Sequence, residues 1–144
     1  MVKKRKKSWT EKVEIAKNSY LRGRNHNSFA KIFYKNLFFL NPKIKNIFSD
    51  TDFEHQEKLL LIGLDHLFNY SENDNDAKKQ ILRLSKVHNA KGLNIHPHLY
   101  YYWIEALIMT IKETDNQYHN DLEFYLREVI SFPVSFFISQ YFLN

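Results

Sequence analysis

The chain of 144 residues has no cysteine, and it has only three glycines and three prolines. The first absence excludes a disulfide scaffold and any zinc or iron–sulfur site built on thiolates, and it suits a reducing cytoplasm, the expected location. The scarcity of glycine and proline excludes collagen-like and low-complexity architectures and favours a compact helical chain. No apolar run approaches the roughly 18 residues that a membrane span needs, so no membrane span is expected. The basic start, MVKKRKKSWTEK, is followed by polar residues rather than the apolar run of a secretory signal. A glycine-rich phosphate loop is absent, as is a Ser-His-Asp order, which leaves nucleotide and hydrolase chemistry without support.

Charge is concentrated. The formal net charge is +5, and positions 3 to 7 are all Lys or Arg. Without those five, the remaining 16 basic residues face 16 acidic ones, so the folded body is expected to present no nucleic-acid surface. The division that follows is a basic, flexible tail over residues 1–8 and one folded domain over 9–144, long enough for a single core. Hydrophobic residues make up 44% and aromatics 16%, with twelve Phe and nine Tyr. That aromatic content can fill an ordinary core or line a large flat cofactor, and composition does not choose between them.

The periodicity is helical throughout. A first helix starts at Ser8 or Thr10, with Glu11 and Glu14 at its positive end, and finishes near Gly23. A second carries Phe29, Ile32, Phe33, Leu37 and Leu40 and stops at Asn41-Pro42, because the residue before proline is pushed out of the helical region. Ser49 to Asp52 caps a third helix whose inward stripe is Phe53, Gln56, Leu60, Gly63, Leu64 and Leu67, with Gln56 its only polar member. A fourth follows the polar loop ending at Asp76, and a fifth starts at about Pro97. The last, from about Asp121 to Tyr141, is apolar nearly all round, which predicts deep burial or a dimer contact; Pro133 inside it predicts a kink. About seven helices and no alternating strand pattern make the fold all-α.

His88 is the residue on which function is expected to rest. It ends a stripe in which Ile81, Leu84 and His88 recur at helical spacing, so the imidazole points inward with the aliphatic side chains. Taken alone, such a histidine is an ordinary core or capping residue. It is also placed to ligate a metal, with its second ring nitrogen donating to the carbonyl of Leu84. His96 and His98 have an H-x-H spacing with no third ligand near in sequence and read as loop residues.

Three stretches in order strengthen the metal reading. The run FYKNLFFLNPKIKNIF (33–48) resembles the B helix, C turn and CD corner of bacterial globins of the flavohaemoglobin and single-domain type, with Phe33, Tyr34, Asn41, Pro42 and Phe48 at the matching places. FEHQEKLLLIGL looks like their E helix, with Gln56 as the distal glutamine and Leu60 one turn on. VHNAKGLNIHPHLYYYWIEALIMTI is similar to the end of their F helix and the start of G, with His88 as the proximal iron ligand. The resemblance covers roughly residues 10 to 141.

It implies a globin fold holding haem b. His88 would be the fifth ligand, and Phe48, Leu60, Leu84, Ile95 and Trp103 would line the slot, with Tyr100 behind the proximal histidine. Tyr34 and Gln56 would grip O2, NO or CO on the opposite side. His55 takes the distal place only if the E-helix register shifts by one. Departures are evident as well, among them Tyr125 where the usual tryptophan of their last helix stands. The stretch from His88 to Pro97 is about two residues longer than in flavohaemoglobins, and Gln140 stands near the place of their late carboxylate, which puts a peroxidase-like push in doubt.

The preferred use is reaction of O2 with nitric oxide. The chain stops where a flavin reductase domain would begin, so an external electron-donating reductase is expected; the Lys3 to Lys7 tail reads first as a disordered solubilising segment and second as a docking handle for an acidic donor. The alternatives are an oxygen store or gas sensor acting through a partner, with a homodimer through the last helix, and a haem-free globin-like interaction module.

Overall fold

The computed structural model describes residues 5–143; these form six α-helices and one 3-10 segment, with no strand among them. Of the basic tail, residues 1–4, including Lys3 and Lys4, lie outside the described residues. Arg5 is a partner of Glu11, its two terminal nitrogens each 2.9 Å from a carboxylate oxygen. Glu11 also closes a capping box with Ser8 at the start of α1 (Trp9–Arg24), the boundary that the Ser-x-x-Glu spacing predicts.

α2 (Phe29–Leu40) stops where proline requires, and the 3-10 segment Pro42–Phe48 carries the chain to Phe48. The Asn41 side chain accepts from the Lys43 amide at 3.1 Å and stabilises that exit. Ser28 precedes α2 without capping it through its side chain; the Ser28 amide donates instead to the His26 ring at 3.1 Å. α3 (Phe53–Ser71) is capped by Asp52, which accepts from the amides of Glu54 and His55. Asn73, at a left-handed φ of 67°, turns the chain into α4 (Asn75–His88), which Asp74 caps. α5 (Leu99–Thr114) begins two residues beyond Pro97, and α6 (Asp121–Ser139) ends two residues short of Tyr141.

α2 lies along α5, α1 packs on α5 and α6, and α3 is sandwiched between α4 and α6. The core where these faces meet contains Tyr20, Phe29, Phe33, Leu64, Phe68, Ile81, Leu107, Ile111, Leu126 and Ile130, all with 1% exposure or less. Each such side chain contributes about 1.5–3 kcal/mol by leaving water. Asp115, beneath α1, accepts from Ser19 at 2.6 Å and from two nitrogens of Arg22 at 2.7 and 3.0 Å.

The helix α6 continues through Pro133. Proline has no N–H to give to the carbonyl four residues back, which is that of Val129. The hydroxyl of Ser71 on α3 donates to that carbonyl at 3.2 Å, so the defect is repaired from the neighbouring helix. The Ser71 carbonyl in turn accepts from the Trp9 indole at 2.9 Å, which ties α1 to the same point. The apolar excess of α6 divides: Leu122, Leu126, Val129, Ile130 and Phe137 are buried, while Phe124 stands 74% exposed.

Candidate functional site

His88 is the last residue of α4, and its Nδ1 lies 2.8 Å from the Leu84 carbonyl oxygen. A carbonyl only accepts, so Nδ1 carries the hydrogen, and a neutral ring then has its lone pair on Nε2. Burial holds the imidazole below its ordinary value of 6.5, against the opposing pull of the Leu84 carbonyl, so the neutral form is favoured. Nε2 has no hydrogen-bond partner among the described residues. No fully buried side-chain nitrogen or oxygen is left unpaired among them either, so Nε2 opens onto accessible space. Phe137 of α6 meets the imidazole edge-on at 5.5 Å and steadies its plane.

On the other side, Tyr34 of α2 and Gln56 of α3 face each other. The Gln56 amide donates to the Tyr34 hydroxyl at 2.9 Å. Tyr34 is buried, and Phe38, Phe48 and Phe53 surround its ring at centroid distances of 6.0, 5.5 and 5.6 Å. Burial pushes its phenol up to about 12, so it keeps its proton near neutrality. Because the hydroxyl accepts from Gln56, that proton remains free for a ligand. Leu60 follows one turn after Gln56 and is buried, whereas His55 is exposed on the outer face. The register that places Gln56 inward is therefore the one adopted.

One turn of α5 joins the two sides. Tyr100 packs on Phe137 at 5.9 Å, the ring that touches His88. Trp103, three residues on, packs on Phe33 at 5.8 Å, and Phe33 touches Tyr34 at 5.2 Å. Phe48, Leu84, Ile95, Tyr100 and Trp103 are each half-buried, so each keeps part of its apolar surface accessible. At Gly63, two turns beyond Gln56 on the same edge of α3, an added Cβ would meet nothing within 4 Å. An imidazole with an unpaired Nε2, half-buried aromatic and aliphatic neighbours and the Tyr34–Gln56 polar pair fit the donor set that haem needs.

The expected residues are thus found in two sets bridged by α5. The sequence reading missed Phe137, whose contact with His88 spans nearly fifty residues and leaves no local signal. It also missed Phe38, which helical spacing from Tyr34 does reveal. The rings of His96 and His98 lie 5.6 Å apart in an exposed loop, and no cluster of three or more metal-ligating side chains occurs among the described residues. Near the expected family carboxylate, the Gln140 amide reaches only Ser139, at 3.5 Å, and the His88 Nδ1 bond is to a neutral carbonyl.

No protein-family profile matches the chain, and no curated protein does. Among solved structures, it is similar to a protein of Pseudomonas aeruginosa PAO1 described as structurally highly homologous to a human hemoglobin. The TM-score is 0.84 at 28% identity, over 90% of this chain and 98% of that one. With its six helices and intervening 3-10 turn in this arrangement, the chain has a globin fold and is similar to a bacterial single-domain globin. No helix among the described residues is long and apolar enough to cross a membrane.

Proposed function

We propose that the chain binds haem b through His88 Nε2 and holds O2, NO or CO reversibly on the side of Tyr34 and Gln56. The observation that carries this reading is the state of His88: Nδ1 is committed to the Leu84 carbonyl and the lone pair of Nε2 faces open space. Haem supplies an iron centre for diatomic ligands, and the chain's residues decide which ligand stays. The free Tyr34 proton and the Gln56 amide favour O2, which carries partial negative charge when held, over the less polarised CO. Phe38, Phe48 and Phe53 keep water away from that pair and strengthen its hydrogen bonds.

The use that this grip favours is conversion of nitric oxide. One NO, one O2 and one electron give one nitrate, so a one-electron donor must be supplied by a reductase partner. The neutral carbonyl on His88 Nδ1 supplies less electron push than a carboxylate would, and peroxidase chemistry is correspondingly disfavoured.

An oxygen store or sensor acting through a homodimer is the second reading, favoured by the exposure of Phe124 at 74% and Phe142 at 83% on and just beyond α6. Sedimentation of the wild type beside Phe124→Ser tests that contact.

An absorption spectrum after haem addition tests the main reading. A Soret band that depends on His88 is expected. Protein that stays colourless, or His88→Ala with an unchanged haem spectrum, would leave a haem-free interaction module. For turnover, the protein holding O2 is mixed with nitric oxide. Nitrate and ferric iron are expected, and a ferric product that no cellular donor re-reduces rules out the dioxygenase use.

A further inference from the structure

The segment between His88 and α5 is laced to the end of the chain. Asn89 is 6% exposed, and its carboxamide works in both directions. Its oxygen accepts from the amides of Lys91 and Gly92 at 3.1 and 3.0 Å, and its nitrogen donates to the Leu143 carbonyl at 3.0 Å. The Ala90 amide donates to the Tyr141 carbonyl at 2.9 Å, and the Tyr141 hydroxyl donates to the Asn94 side-chain oxygen. The ring of Tyr141 lies 5.4 Å from that of His96. From inside the loop, the amides of Leu93 and Ile95 close the end of α4 by donating to the carbonyls of Val87 and His88 at 2.8 and 3.0 Å.

This closure has a steric signature. Gly92 sits so close that an added Cβ would collide with the Val87 carbonyl, and Asn94 takes a left-handed φ of 56° to turn the chain back. A loop that only joined two helices would satisfy its polar groups with water. Here a buried amide spends its hydrogen bonds on both the loop and the chain terminus, and the residue that carries it is joined directly to His88. The last turn of α4 cannot rotate or fray without breaking this set.

We propose that Asn89 and Tyr141 are positioning residues for His88. By clamping the carbonyl end of α4 to the segment after α6, they fix the rotation of the imidazole and hence the strength of its bond to the iron. The inference rests on the haem reading above. It also gives a role to the extra length between His88 and Pro97, which supplies Asn94 and the Gly92 turn for the clamp.

The test uses the full chain loaded with haem, comparing wild type with Asn89→Ala, Tyr141→Phe and the control Ser135→Ala. Ser135 is exposed, and its hydroxyl bonds only to its own helix. Two quantities are read: the iron–histidine stretching band in the ferrous resonance Raman spectrum, and the rate of haem loss to an apomyoglobin scavenger. Asn89→Ala is expected to shift the band and to speed haem loss about tenfold or more, the usual scale for a group that orients a metal ligand. Tyr141→Phe, which keeps the ring and the fold, shifts the band in the same direction by less, and the control changes neither. Faster haem loss with an unmoved band in both Asn89→Ala and Tyr141→Phe indicates mere loss of stability and overturns the proposal, as does an Asn89→Ala protein indistinguishable from wild type. Absence of any haem absorption band from the wild type after haem addition overturns the haem reading itself, a separate result.

Discussion

The Gln56 amide and the Tyr34 hydroxyl meet at 2.9 Å across the gap between α3 and α2, with the tyrosine as acceptor. That direction matters because it leaves the phenol proton for a ligand, whereas a tyrosine donating to glutamine would have none to give. A hydrogen bond to a charged partner contributes roughly 1.5–3 kcal/mol. Tyr34→Phe is therefore expected to speed O2 release by about ten- to a hundredfold, as followed by stopped-flow displacement with CO. Equal release rates in mutant and wild type would remove Tyr34 from the ligand's surroundings.

Much of this was legible in the sequence, for identifiable reasons. The stripe Ile81, Leu84, His88 fixes which way the imidazole points, and i to i+4 geometry fixes its Nδ1 partner, so both were readable from spacing alone. The inward direction of Gln56 follows likewise from the stripe it shares with Leu60 and Leu64. What local pattern does not carry is contact across the chain. Ser71 meeting Val129, Phe137 meeting His88 and Asn89 meeting Leu143 are pairings between distant helices and ends, and each residue taken singly looks ordinary. The last helix shows the limit from the other side: its apolar excess was plain, but which of its aromatics are covered depends on what packs beside them.

The Ser71 hydroxyl is expected to matter only because of Pro133. Ser71→Ala strands the Val129 carbonyl in the core, at about 1–3 kcal/mol. Pro133→Ala restores an N–H to that carbonyl from within α6. Combined with Pro133→Ala, the Ser71→Ala change should cost distinctly less than it does alone. Urea titrations of the four proteins give the coupling. Strict additivity would show that the two residues do not compensate each other.

Acid should weaken the fold in part through Asp115. Burial alone would raise this carboxyl, but hydrogen bonds from Arg22, Ser19 and the Gln117 amide outweigh burial and hold it below its ordinary 3.8. As pH falls, the unfolded chain takes up this proton first. The stabilisation is therefore complete well above 3.8 and is lost as pH drops through that value toward the lower folded one. Glu105, held below 4.5 by its hydrogen bonds with Arg127, adds in the same sense. Asp115→Asn should lower stability near neutrality by about 1–3 kcal/mol, since Arg22 loses its partner, and should flatten the acid limb. Thermal unfolding followed at several pH values down to about 3 reads both effects, and an unchanged slope in the mutant would show that Asp115 is not responsible.

Gly63 offers a test of where haem would lie. It sits inside α3, where glycine costs about 1 kcal/mol relative to alanine, and an added Cβ would touch nothing. Gly63→Ala should thus raise the stability of the haem-free protein by about that amount, since helix propensity improves and no neighbour is displaced. Gly63→Trp is different, because an indole projecting from this edge, on the side of Gln56, enters the space assigned to haem. Titration with haem should find affinity nearly unchanged in the alanine variant and strongly reduced in the tryptophan variant, with circular dichroism confirming that both remain helical. If the tryptophan variant binds haem as tightly as wild type, the space beside Gly63 is not the haem slot.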